Sequence, residues 1–255
     1  MPYANNNGVK IYYEVEGQGP PLVLLHGGGG DLTNWREYGY AEALRNDYGL
    51  ILIDERGQGK SDKPVDPVLY DMEYRVSDVT TVLDDLHIKS AHLFGYSYGG
   101  RIGLECAKFV PQRVLSLIIG GMGPQGKSWD GSNPVLKLLE TNPEALIYKP
   151  LTEEDKEHYM KTDYPAMLAL VKSPWPNMEA DLPAMTTPFF IYLGEFDHLW
   201  PPEVVNKAFG VLPNVTFLVL HGVDHLAFPR SDLVLPHIKE FLARVSPPQE
   251  SNKEE

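Results

Sequence analysis

Gly95-Tyr96-Ser97-Tyr98-Gly99 stands directly after an apolar run that ends near Phe94, with Gly100 and then Gly103 following. A serine on a sharp strand-to-helix turn needs small residues two positions to either side, because larger ones would collide with neighbouring chain. The same turn leaves its hydroxyl standing clear, and the positive end of the following helix dipole faces it. A serine hydroxyl is a weak nucleophile at neutral pH. It needs a base, and the base needs an acid to orient it. Acyl transfer is the chemistry this spacing suggests.

Eight histidines compete for the role of base. His26 lies in a glycine loop, His87 ends a helical pattern, and His198 and His221 fall at or near strand ends. His225, in Gly222-Val223-Asp224-His225, sits between the last apolar run and the last helical pattern. In a parallel sheet the loops at the carboxyl ends of the strands converge on one edge, where Ser97 also emerges, so His225 is the expected base. Asp197 in Gly194-Glu195-Phe196-Asp197 is the expected acid, 28 residues earlier, which leaves room for one helix and one strand. Glu195 and Asp224 remain its rivals. The strand before it ends in Gly120-Gly121-Met122-Gly123 and carries no carboxylate. A fourth element is His26-Gly27-Gly28-Gly29-Gly30, where the backbone can approach a ligand and aim N–H groups inward. Gly28 and Tyr98 are assigned as oxyanion donors, and losing one such donor typically costs about 2.7–4 kcal/mol of transition-state stabilisation.

These residues need a scaffold. Asn7-Gly8 suits a tight hairpin turn, and Ile11, Tyr13 and Val15 alternate with Lys10, Tyr12 and Glu14 as in a strand with one buried face. Continuous apolar runs follow at Leu22–Leu25, Leu50–Ile53, His92–Phe94, Val114–Ile119, Phe189–Leu193 and Val215–Leu220, the pattern of strands buried on both faces. Val76, Val79, Leu83 and Leu86 have helical spacing with Asp71 placed to cap them. Further helices are expected after Ser97 and over Leu233–Val245. Strands alternating with helices imply a mostly parallel central sheet with helices on both faces, an α/β fold. The core domain is assigned to 1–122 and 186–245. Residues 123–185 hold no strand-like run, and five of the seven methionines fall between Met122 and Met185, with Trp129, Tyr148, Tyr159, Tyr164 and Trp175. Asn142-Pro143-Glu144 and Thr152-Glu153-Glu154-Asp155 read as helix starts. This segment is expected to be a small helical cap over an apolar pocket, and 246–255 a frayed tail.

Composition narrows the partners. Across 255 residues, 22 lysines and arginines face 35 aspartates and glutamates, a net charge of −13, which disfavours nucleic acid and anionic membranes. Cys106 is the only cysteine, so no intrachain disulfide or CxxC metal site can form. No apolar run approaches the roughly 20 residues of a membrane span. The opening Met1-Pro2-Tyr3-Ala4-Asn5 has no secretory pattern, so a soluble cytoplasmic protein, monomer or homodimer, is expected. Gly59-Lys60-Ser61 is not a nucleotide loop, since Asp54 stands where that motif needs glycine and Pro64 and Pro67 block the helix. His221 and His225 have helical spacing but fall on a strand end and a loop, which argues against a metal.

The order Ser97, Asp197, His225, with the glycine loop and elbow, resembles the α/β-hydrolase superfamily, specifically its serine-nucleophile, esterase- and lipase-like branch with a helical cap. Asp54-Glu55-Arg56-Gly57-Gln58-Gly59-Lys60-Ser61 is similar to the DxRGxGxS loop of that family, and the resemblance runs from about Val9 to Val245. It implies a cofactor-free serine hydrolase acting on a small-molecule ester, with small to medium apolar acyl or aryl groups suggested by Met122, Leu199 and Trp200. It also leaves open carbon–carbon bond hydrolase or lyase, lactonase, perhydrolase and non-catalytic receptor. Arg101 resembles a position in a lyase of menaquinone synthesis. Relatives with an elbow aspartate are disfavoured, because Ser97 cannot form their alkyl ester. Many relatives carry a bulky residue where Gly28 stands, so a wider pocket is expected there.

Overall fold

A computed structural model describes residues 2–126, 163–225, 227–228 and 230–246. Asn7 (φ 51°) and Gly8 (φ 92°) both take positive φ, as a two-residue hairpin turn requires. They join β1 (Tyr3–Asn6) to β2 (Val9–Glu16), with Asn6 opposite Val9. The expected alternation on β2 holds for Ile11 and Tyr13 but not beyond. Tyr12 is buried too, because it packs into the cluster on the other face of the sheet, and Val15 is 53% exposed.

The apolar runs all form strands: β3 (Pro21–Leu25), β4 (Gly49–Ile53), β5 (Ala91–Tyr96), β6 (Val114–Gly120), β7 (Phe189–Gly194) and β8 (Val215–Leu220). The sheet order is β1-β2-β4-β3-β5-β6-β7-β8. Only the β1–β2 and β2–β4 pairs are antiparallel. Because successive side chains point to opposite faces, each run feeds two cores. Val23, Leu25, Ile51, Leu93, Leu117 and Ile119 join one cluster, whereas Leu22, Leu24, Leu50, Phe94, Ile118 and Phe190 join the other.

Helices cover both faces. The described ones are α1 (Asn34–Glu37), α2 (Tyr40–Leu44), α3 (Met72–Asp85), α4 (Tyr98–Phe109), α5 (Tyr164–Lys172), α6 (Pro202–Phe209) and α7 (Ser231–Val245). Val76, Val79 and Leu83 of α3, Ile102 and Cys106 of α4 and Phe209 of α6 pack on one face. Leu44 of α2 and Ile238, Phe241 and Leu242 of α7 pack on the other. Asp71 occupies the N-cap of α3, but its side chain bonds no helix N–H; it lies 3.4 Å from Ser173 Oγ, whose proton goes to Tyr70 O at 2.8 Å.

Beneath α4 lies a charged core. Arg75 grips Glu105 with two bonds of 2.8 and 2.6 Å, and Arg101 Nε reaches the same carboxylate at 2.8 Å. Arg75 also donates to Tyr70 O and Ser173 Oγ, and Arg101 to Pro176 O, which ties the segment after α5 to the sheet's helical cover. Of the stretch expected to be a cap, residues 163–185 carry α5 and a short 3₁₀ turn, Glu179–Ala184. Leu170, Trp175, Met178 and Leu182 join the main core cluster. Trp129, Tyr148, Tyr159 and both expected helix starts lie outside the described residues, as does the tail beyond Ser246.

Candidate active site

Ser97 is the single residue between β5 and α4, held at φ 49°, ψ −112°, a conformation L-residues rarely adopt. The flanking glycines make it possible. A Cβ on Gly95 would lie 2.2 Å from Gly99 O, and a Cβ on Gly99 would lie 2.2 Å from Leu25 O. The turn is pinned by Ser97 N donating to Gly120 O at 2.7 Å and Gly99 N donating to His26 O at 3.0 Å. Gly103 serves packing, as its Cβ position is 2.6 Å from Leu117 Cδ1. Ser97 keeps partial exposure in an otherwise buried stretch.

The histidine arrives from the loop after β8. Ser97 Oγ lies 3.3 Å from His225 Nε2, and His225 Nδ1 lies 2.8 Å from Asp197 Oδ2. A carboxylate only accepts, so the Nδ1 proton goes to Asp197 and the Nε2 lone pair faces the serine hydroxyl. Asp197 is 2% exposed. Its second oxygen accepts from Leu199 N at 3.0 Å and Trp200 N at 2.9 Å, which fixes the carboxylate's plane. Of its rivals, Glu195 turns to Gly222 N and His221, and the imidazole bonds Asp197 rather than the adjacent Asp224. Tyr96 O–H donates to His225 O, and its ring stacks on Phe228 at 4.6 Å, so the residue before the serine also holds the histidine loop.

The glycine loop after β3 stands beside this line. The Cβ position of Gly27 is 3.8 Å from Ser97 Cβ, and that of Gly28 is 3.7 Å from Tyr98 Cβ. Neither Gly28 N–H nor Tyr98 N–H donates to an acceptor among the described residues, and an unpaired first N–H is what a helix start provides. Space beside Gly28 is open, because a Cβ there would make only that ordinary contact. Gly29 (φ 81°) and Gly30, whose Cβ would meet Asn34 Oδ1 at 2.2 Å, are the positions that need glycine. A cleft of about 600 Å³ lies beside this loop, lined by Gly29, Gly30, Gln58, Lys60, Lys63 and Met167 among others. Ser97, Asp197 and His225 are not part of its wall.

The remaining motifs resolve structurally. Asp54 accepts from Leu32 N and Lys60 N and Ser61 Oγ donates to Asp54 O at 2.6 Å, so the Asp54–Ser61 loop closes on itself. Arg56 binds Asp78 bidentately at 2.9 and 2.7 Å. Arg101 is fully buried on Glu105 and Pro176, which leaves the lyase comparison without a substrate-facing guanidinium at this position. His26 pairs with Glu55 and His92 with Ser116. Among the described residues no cluster of three or more His, Cys, Asp or Glu is arranged to hold a metal, and no described helix is long and apolar enough to cross a membrane. Sequence reasoning missed Tyr96, Glu55 and Gln58, which carry no motif of their own.

A family profile for the alpha/beta hydrolase fold matches residues 20–151. The chain belongs to the α/β-hydrolase family. A 2-hydroxy-6-oxononadienedioate/2-hydroxy-6-oxononatrienedioate hydrolase of Paraburkholderia phymatum is 31% identical to this α/β hydrolase, over 86% of this chain and 85% of that one. RutD of Azorhizobium caulinodans, whose name is that of a carbamate hydrolase, is 38% identical over 58% of this chain. That match spans only 55% of the relative's own length. Among solved structures, the enol-lactonase of Burkholderia xenovorans superposes with a TM-score of 0.82 at 21% identity, over 95% of this chain and all of that one. An esterase from Exiguobacterium antarcticum gives 0.80 at 22% identity, over 94% and 98%. Both confirm the fold of this α/β hydrolase.

Proposed function

We propose that the protein is a serine hydrolase that cleaves carboxylic esters through an acyl-enzyme, with Ser97 as nucleophile, His225 as base and Asp197 as orienting acid. One observation carries the reading: the hydroxyl, imidazole and buried carboxylate lie in a single hydrogen-bonded line, with two N–H groups beside the serine that donate to no acceptor among the described residues. The ester carbonyl oxygen settles against Gly28 and Tyr98 N–H. His225 takes the Ser97 proton as the hydroxyl attacks, and Asp197 supports the imidazolium that forms. The alcohol leaves with that proton, and water attacks the acyl-enzyme by the reverse route. The ester the protein takes carries a small to medium apolar acyl or aryl group. The working form is a monomer or homodimer in the cytoplasm, with no nucleic-acid or membrane partner, consistent with the net charge of −13.

A second reading, hydrolysis of a carbon–carbon bond next to a carbonyl by the same residues, is favoured by the name and 86% coverage of the Paraburkholderia relative. A panel of p-nitrophenyl esters, lactones and vinylogous diketones, run with wild type and Ser97→Ala, separates the two. Ester turnover and fluorophosphonate labelling that both vanish in Ser97→Ala are expected. Turnover that survives the substitution would remove Ser97 from the mechanism, and diketone cleavage without ester cleavage would favour the second reading.

A further inference from the structure

The loop Gly27–Gly30 has no side chains with which to hold itself, and glycine loses more backbone freedom on ordering than any other residue. Yet the proposed oxyanion donor, Gly28 N–H, must point in one direction. Three buried side chains surround this loop and have no part in the proton transfers. His26 Nδ1 donates to Gly27 O at 2.8 Å. His26 Nε2 meets Glu55 Oε2 at 2.9 Å. Gln58 Nε2 donates to the same Glu55 oxygen at 3.0 Å, and Gln58 Oε1 accepts from Gly29 N at 2.5 Å. The three are 0%, 4% and 6% exposed.

We infer that Glu55 and Gln58, acting through His26 and Gly29, are positioning residues that aim the Gly28 N–H at the oxyanion. The inference rests on the ester-hydrolase reading above. Its geometry is a ring. Gly27 O and Gly28 N–H belong to one peptide group, Gly28 O and Gly29 N–H to the next, and the side chains clasp one end of each. In a trans peptide the C=O and N–H point oppositely, so the two bonds to Gly27 O, from His26 Nδ1 and from Gly30 N at 3.1 Å, together set the heading of Gly28 N–H. A donor on that carbonyl also polarises the peptide and strengthens its N–H. Glu55 orders the parts on both sides. By accepting from Gln58 Nε2 it forces the amide oxygen toward Gly29 N. It also keeps His26 in the form that carries a proton on Nδ1: burial opposes the imidazolium, but the carboxylate outweighs it and holds the His26 pKa up at about 9.

The test uses the full-length protein and the variants Gln58→Met, Glu55→Leu and Glu55→Gln. Kinetics on a p-nitrophenyl ester, inhibition by an aryl boronic acid and ¹⁵N amide exchange of the loop glycines are measured together. Gln58→Met and Glu55→Leu should lower kcat by about tenfold to a hundredfold, with KM within about twofold, and weaken boronate binding by a similar factor. Glu55→Gln should recover only part of kcat, to within about tenfold of wild type, since the one atom that replaces Oε2 can accept from Gln58 or donate to His26 Nε2 but not both. In wild type the Gly29 amide should be protected and the Gly28 amide should not. A folded Gln58→Met with unchanged kcat and boronate affinity overturns the inference, as does a KM effect alone. Unprotected Gly29 in wild type overturns it even where the variants do not fold. Wild type without Ser97-dependent turnover sinks the hydrolase reading instead, which the exchange measurement keeps distinct.

Discussion

Replacing Gly99 with alanine probes how tightly the elbow and the oxyanion loop depend on each other. The new Cβ would lie 2.2 Å from Leu25 O, 2.5 Å from Leu25 C and 2.6 Å from His26 O. All three are backbone atoms at the end of β3, where the chain enters the glycine loop, so none can swing aside as a side chain would. Reaching 3.0–3.4 Å, already tighter than most contacts, moves the start of α4 and the end of β3 apart by about 1 Å. That motion stretches the 3.0 Å bond from Gly99 N to His26 O and carries Ser97 and Tyr98 away from Gly28. A misplacement of about 1 Å in a reacting constellation costs on the order of a hundredfold, while overpacking costs about 1–3 kcal/mol of stability. Gly103→Ala is the contrast. Its three nearest neighbours are all in the Leu117 side chain, with Cδ1 at 2.6 Å, and a side-chain methyl can give way. We expect kcat/KM for a p-nitrophenyl ester to fall about a hundredfold in Gly99→Ala and less than about threefold in Gly103→Ala. Thermal denaturation should show both to be folded. Equal losses in the two variants, or Gly99→Ala within threefold of wild type, would refute the coupling.

Other outcomes follow from the same geometry. Asp197→Asn keeps the shape but loses the Nδ1–H acceptor, so kcat should drop by about 10⁴ with little change in KM; steady-state kinetics decide this. Glu105→Gln leaves Arg75 and Arg101 buried without their shared anion, which should cost about 3–5 kcal/mol and lower Tm by roughly 10 °C; an unchanged Tm would contradict the role given to this core. Burial holds the His92 imidazole down to about 4 from an ordinary 6.5. Between those values the unfolded chain binds a proton that the folded chain does not, so stability falls as pH drops from 6.5 toward 4, by at most about 3 kcal/mol. Urea titrations across this window should be flatter in His92→Gln than in wild type.

How far these features were legible depends on whether they leave a local trace. The parallel strands were, since runs such as Leu22–Leu25 and Phe189–Leu193 are apolar at every position, as burial on two faces demands. The candidates Ser97, Asp197 and His225 were readable from the glycine elbow and from chain order, because strand ends in a parallel sheet share one rim, but the choice of Asp197 over Glu195 and Asp224 needed the geometry. The strand β1 has only the residues YANN and is a strand because β2 pairs with it. Val15 shows the limit of alternation, which says nothing of where cover ends. Glu55, Gln58 and His26 meet across about 30 residues with no period, and Arg75 meets Glu105 only because α3 packs on α4. Asp71 stands at the cap position, but its carboxylate faces Ser173 rather than a helix N–H.

The lone thiol has a practical consequence. Cys106 sits on the helix that Ser97 introduces, 1% exposed, with burial pushing its pKa well above the ordinary thiol range. The native protein should thus be silent to thiol reagents, so a cysteine placed anywhere on the outside becomes a unique attachment point for a fluorophore or spin label. The slow modification of Cys106 itself becomes a clock, ticking only when the elbow helix lifts from the sheet.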